Sequence, residues 1–227
     1  MIEFSDLSKK FPDGTLGLSD INFKISDGEF VFIIGPSGAG KTTILRLITA
    51  DLLPTSGKLV VEEKDLSKIS DSELPEFRRT IGIVFQDYKL LPDRTVFENI
   101  ALSLEILGKS EAEISQEVGE ILEKVDLKGK ENYFPVQLSG GELQRTSIAR
   151  AVVAQPKIIL ADEPTADLDP ATEWEIVSLL DQINKDGKTV IMATHKVDVV
   201  NSMEKRVIQL EKGKIVKDVK KGKYVAT

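Results

Sequence analysis

The 227-residue sequence has no cysteine and a single histidine, His195. The first absence excludes disulfides, thiol catalysis and thiolate-held zinc. The second excludes any metal site built from clustered histidines. Positive charge is also in deficit: 30 Lys+Arg against 37 Asp+Glu leave a formal net charge of −7, a poor basis for wrapping nucleic acid by charge. No apolar run approaches the ~18–20 residues that cross a bilayer. The longest runs, such as Phe30–Ile34 and residues 158–161, are strand-sized. Met1-Ile2-Glu3-Phe4-Ser5 carries neither the basic nor the apolar region of a secretory signal. The expectation is a soluble chain that reaches a membrane only if another protein holds it there.

What is present is an ordinary globular balance, 41% hydrophobic and 30% charged, enough to bury one substantial core. Short apolar runs alternate with amphipathic stretches, the pattern of a parallel α/β sheet. Residues 29–34 (EFVFII), 157–161 (KIILA) and 189–193 (TVIMA) read as strands buried on both faces. A helix is expected from Lys41 to about Ala50. Residues 54–57 read as a turn and 58–61 as a strand, and 206–210 with 214–216 as a hairpin around Glu211-Lys212-Gly213. From about 87 to 154 the period changes to helical. Ile114, Val118, Ile121, Leu122 and Val125 share one face, with Ser110 and Glu113 spaced as a capping box. That middle reads as a helical subdomain (about 87–154) inserted in a core made of 1–86 and 155–227, the whole forming one domain. The lysines Lys212, Lys214, Lys217, Lys220, Lys221 and Lys223 read as a solvated basic tail, with attraction to anionic lipid as the alternative.

Three motifs carry chemistry. Gly35-Pro36-Ser37-Gly38-Ala39-Gly40-Lys41-Thr42 fits G-x-x-x-x-G-K-[ST], preceded by a strand and followed by a helix. In that context backbone N–H groups curl around a phosphate chain, Lys41 reaches the β- and γ-phosphates, and the Thr42 hydroxyl ligates Mg²⁺. The run Ile158-Ile159-Leu160-Ala161 ends in Asp162-Glu163. Asp162 is placed to hold Mg²⁺ through its water shell, and Glu163 to accept a proton from water attacking the γ-phosphate. Leu138-Ser139-Gly140-Gly141-Glu142 opens a helix through Arg145 and Arg150 and makes a second anion site. One nucleotide seldom needs two cradles, so the second points to another subunit's nucleotide.

Together these residues resemble the ATP-binding-cassette (ABC) ATPase family over nearly the whole chain. The matches are the signature at 138–142, the Asp162-Glu163 pair, Gln86 in Val84-Phe85-Gln86-Asp87, the loop Ala166-Asp167-Leu168-Asp169, and His195 after the third core strand. The resemblance implies a P-loop NTPase with a RecA-like parallel-sheet core, an N-terminal antiparallel β subdomain and an inserted helical subdomain. It also implies an Mg²⁺-dependent ATPase acting as a head-to-tail homodimer. In that dimer Ser139, Gly140, Gly141 and Glu142 of one copy close over ATP held by Gly35 to Thr43 of the other. Phe11 stands where an aromatic stacks on adenine, Gln86 joins the Mg²⁺ shell, and His195 contacts the γ-phosphate.

The run Phe85-Gln86-Asp87-Tyr88-Lys89-Leu90-Leu91-Pro92-Asp93-Arg94-Thr95-Val96, with Phe134-Pro135-Val136-Gln137, further resembles the FtsE family of bacterial cell-division ATP-binding proteins. That likeness implies an integral-membrane partner of the FtsX kind, received near residues 86–108, and cell-wall hydrolases as indirect targets. Lipoprotein-release and macrolide-export ATPases share much of the pattern, so a transport ATPase is the alternative. A DNA-repair or translation ATPase is disfavoured by the acidic charge. Two departures from the family pattern stand out: Lys196 follows His195 where Asp or Asn is usual, and Leu143 replaces a frequent Gln.

Overall fold

The structure is a computed structural model describing residues 1–222. Two sheets are packed around two apolar layers. β1 (Ile2–Lys10), β2 (Leu16–Ile25), β4 (Ser56–Val61) and β5 (Lys64–Asp65) form an antiparallel sheet in the order β2-β1-β4-β5. The second sheet has six strands in the order β10-β9-β3-β8-β7-β6. Its members are β3 (Phe30–Ile34), β6 (Ile81–Val84), β7 (Ile158–Asp162), β8 (Thr189–Thr194), β9 (Arg206–Glu211) and β10 (Lys214–Val219). All neighbours in it run parallel except β10, which returns antiparallel on β9.

Strand residues alternate sides, so a strand covered on both faces must be apolar throughout. Phe30, Phe32 and Ile34 of β3 face one layer, while Val31 and Ile33 face the other. The first layer contains the helices α3 (Val96–Glu105), α4 (Glu111–Lys124), α5 (Gly140–Val152) and α6 (Pro170–Lys185). The second packs α1 (Lys41–Ile48) and the antiparallel sheet on the other face. Two shorter helices, α2 (Leu74–Arg78) and α7 (Val197–Met203), lie before β6 and after β8.

Helix starts follow local chemistry. Thr95, Ser110 and Ser139 cap α3, α4 and α5 in capping boxes with Glu98, Glu113 and Glu142. Asp169 caps α6 through the N–H groups of Ala171 and Thr172. α1 ends two residues short of the sequence expectation because Thr49 caps it and Ala50 turns left-handed, φ +53°. Ser56 and Gly57, read as part of a turn, already belong to β4, with Ser56 opposite Ser8 of β1. The expected hairpin is β9 and β10, with β10 running on to Val219, so Lys214 and Lys217 lie on a sheet edge whose charges discourage further pairing, while Lys220 and Lys221 follow it. Lys223 lies outside the described residues.

The middle of the chain is held to the large sheet by a joint of backbone against backbone. Gly82 of β6 sits so close to α5 that an added Cβ would stand 2.3 Å from the Ala151 carbonyl oxygen. Beside it, Tyr88 and Lys89 both adopt left-handed backbone, φ +58° and +51°. Their carbonyls accept from the Arg150 guanidinium, at 2.8 Å from Tyr88 and 2.6 Å from Lys89, which offsets an unfavourable conformation for non-glycine residues. Buried Asn99 then ties residues 91–95 to α3 through four hydrogen bonds to Leu91, Arg94 and Thr95.

Candidate functional site

The carboxyl ends of the parallel strands converge on one cleft of about 680 Å³. Across the sheet, β6, β7, β8 and β3 deliver in turn Gln86, Asp162 with Glu163, His195, and the glycine-rich loop. The cleft is lined by Phe11, Pro36, Ser37, Gly38, Gly40, Lys41, Thr42, Thr43, Gln86, Asp162, Glu163 and His195. The crevice outside the carboxyl ends of the strands is where open α/β sheets bind ligands.

The loop itself is shaped for an anion. Gly40 caps α1 at φ +108°, a conformation that disfavours any side chain, and no side chain caps the helix. The first-turn N–H groups therefore face the cleft without a local acceptor, and the helix dipole adds positive potential. Lys41 is buried. Its ammonium donates to the Gly35 carbonyl at 2.9 Å and lies 3.3 Å from Glu163 Oε1. Ala39 is buried beneath the loop, where its carbonyl accepts from Gly213, so it supports the cradle without facing the cleft.

Two carboxylates complete the opposite wall. Thr42 Oγ1 donates to Asp162 Oδ1 at 3.3 Å. Burial pushes the Asp162 carboxyl above its ordinary value; the Thr42 hydrogen bond opposes the rise and the Glu163 charge adds to it. Glu163 follows at φ +47°, its N–H bonded to the Ala193 carbonyl. Its carboxylate spans two groups, with Oε1 on Lys41 and Oε2 2.9 Å from His195 Nδ1. The His195 N–H also reaches Oε2, at 3.3 Å, so strands β7 and β8 are laced together at their ends.

Phe11 lies against Gly17, in a turn closed by its own N–H on the Thr15 carbonyl. That turn also brings Thr15, Leu16 and Gly17 to the cleft wall, three residues the sequence reading did not single out. The Phe11-Pro12-Asp13-Gly14 turn signature was the available signal. Ala166 was missed as a wall residue as well.

Ser139, Gly140, Gly141 and Glu142 are not in this cleft. They open α5 elsewhere, with Ser139 N–H and hydroxyl donating to Glu142 at 2.8 and 3.0 Å, and Lys130 at 3.0 Å from the same carboxylate. A second hollow of about 530 Å³ lies between β6, α3 and α5, lined in part by Arg78, Ile83, Phe85, Leu102, Ile106 and Arg150. Ile106 is 58% exposed at its rim. Among the described residues no helix is long and apolar enough to cross a membrane.

Residues 18–166 match the ABC transporter family. The chain is 50% identical over 224 residues to the cell division ATP-binding protein FtsE of Bacillus subtilis, covering 99% of this chain and 98% of that one. It is 44% identical to the methionine import ATP-binding protein MetN of Cupriavidus metallidurans, over 95% of this chain and 64% of that longer protein. Among solved structures, an ATP-binding cassette described as dimeric, in a post-hydrolysis state and bound to ADP and Pi, superposes with a TM-score of 0.89 at 37% identity. That match covers 99% of this chain and 100% of the other.

Proposed function

The chain belongs to the ABC transporter family of ATP-binding proteins and is an ATPase of that family, and on that premise we propose that it drives a membrane partner in bacterial cell division. The observation that carries the chemistry is the single cleft joining the uncapped start of α1 to Asp162, Glu163 and His195. ATP lies with its adenine on Phe11 and its phosphates over Gly38, Gly40, Lys41, Thr42 and Thr43. The facing oxygens of Thr42 and Asp162 fit a hard divalent cation, since a half-buried carboxylate lifted by desolvation gains from a cation beside it. Bound Mg²⁺ would neutralise charge developing on the phosphates. Gln86, two residues past the end of β6, would join that shell.

Glu163 accepts a proton from water as the water oxygen bonds to the γ-phosphorus. The bond to the β–γ bridging oxygen breaks in line, leaving ADP and phosphate. His195 holds the γ-phosphate from the neighbouring strand end. The start of α5, which does not line its own chain's cleft, serves the ATP of a second copy in a head-to-tail dimer. Loss of the γ-phosphate then opens the dimer, and that opening is the mechanical output.

We take residues 87–154 as the helical subdomain, and the hollow beside β6 as the seat of a short cytoplasmic helix from an FtsX-like integral-membrane partner. Cell-wall hydrolases outside the membrane are the indirect targets. The likeness to FtsE over the full chain supports this reading. The likeness to a methionine importer keeps solute transport as a second reading with the same engine. The deciding experiment is affinity capture from native membranes with Glu163→Gln protein and Mg·ATP. A four-span partner, lost on charge reversal at Asp87 and Arg94, supports division. A many-span permease moves the function to transport.

A further inference from the structure

His195 is followed by Lys196, whose ammonium lies 3.0 Å from Glu173 Oε2. Glu173 belongs to the first turn of α6 and is only 8% exposed. An ionised carboxylate so enclosed is costly to bury unless a cation meets it, and Lys196 is the cation that does. The Lys196 backbone is fixed as well, its N–H donating to Thr194 Oγ1 at 3.1 Å while the residue caps α7.

The consequence is a doubly stapled loop. At its start, Glu163 is bonded to the Ala193 carbonyl and to both the backbone and the ring of His195. At its end, Glu173 is bonded to Lys196. Residues 164–172 therefore run between two staples that both land on the 193–196 segment. His195 sits between the anchor points.

We propose that Lys196 and Glu173 are a positioning pair that holds His195 and residues 164–172 as one body, so that the histidine is set for the phosphate-transfer step. This rests on the reading of His195 as the γ-phosphate contact. Neither residue lines the nucleotide cleft, so the pair acts on turnover and leaves nucleotide affinity alone.

The test is steady-state ATP hydrolysis by the full chain, with kcat and KM separated. Lys196→Met and Glu173→Gln should each lower kcat by about tenfold, the scale of a small misplacement of a reacting group, with KM for ATP within about twofold. The reversed pair, Lys196→Glu with Glu173→Lys, should recover most of the loss, as should Lys196→Arg, which also guards against a folding failure in the unpaired variants. In a His195→Ala background, Lys196→Met should lower kcat no further, because the route through the histidine is already gone. Wild-type kcat in Lys196→Met, or the same tenfold loss in the His195→Ala background, overturns the proposal. Wild-type kcat in His195→Ala itself overturns instead the role of the histidine on which the proposal rests.

Discussion

The starts of α1 and α5 both offer backbone N–H groups and a positive dipole end, yet they are finished in opposite ways. α1 begins at Gly40 with no side-chain cap and no acidic residue in its first turn. α5 begins at Ser139 inside a capping box, with Glu142 accepting from Ser139 and drawing in Lys130. The first start has no local acceptor and needs an anion from outside. The second has the N–H groups of Ser139 and Glu142 bonded within its own chain, so a phosphate arriving there meets a carboxylate already in place. The difference teaches that the same helix-end physics can make a primary binding site or a secondary one, according to what the adjoining side chains already bind.

The largest way to sharpen this contrast is to stall the reaction between the two starts. Glu163→Gln should keep ATP binding and cut turnover by roughly 10²–10⁴-fold, the usual worth of a general base. ATP-bound dimers should then persist in size-exclusion runs where wild type reverts to monomer; wild-type turnover in this variant would remove Glu163 from its role. Lys41→Ala attacks the α1 start alone. Loss of a charge-assisted hydrogen bond should weaken ATP binding by about 10–100-fold in equilibrium titration, whereas Ser139→Ala should leave the affinity of the monomer for ATP within about twofold. Equal losses in both would erase the distinction.

Smaller effects probe the self-capped start. Removing its cap with Ser139→Ala should cost about 1 kcal/mol of stability by urea titration. The smallest effect concerns acid. Backbone hydrogen bonding from Ser139, with Lys130 beside it, holds the Glu142 carboxyl below its ordinary value. A depressed carboxyl stabilises the fold at pH values above the unfolded-state value, and that contribution is lost as pH falls through the depressed folded-state value. The stability gap between wild type and Glu142→Gln should therefore be present at pH 7 and shrink in acid; a gap unchanged at pH 3 would contradict it.

Much of this site was legible because its motifs sit at the ends of unbroken apolar runs. Residues 158–161 are buried on both faces, so Asp162-Glu163 reads as a strand end, and the same logic places His195 after β8. Other features were hidden for physical reasons. The hairpin strand read at 214–216 runs on as β10 through Lys217, Asp218 and Val219, an extension masked because an exposed edge takes charge as readily as apolarity. β1 breaks its alternation with register shifts after Phe4, Leu7 and Lys9. The Lys196–Glu173 pair joins residues far apart in sequence, and no spacing rule anticipates a contact set by how α6 and α7 pack. α6 was different: Ile176, Val177, Leu180 and Ile183 give it a readable helical face that the motif-led reading passed over.

The close approach of Gly82 to Ala151 has a consequence of its own. Most contacts between a sheet and a helix are cushioned by side chains, which change rotamer and absorb small displacements. Here main chain meets main chain, and the Arg150 clasp on Tyr88 and Lys89 lies alongside. Such a linkage has no backlash. A movement of β6 smaller than a rotamer step would still reach α5, in either direction and without a threshold.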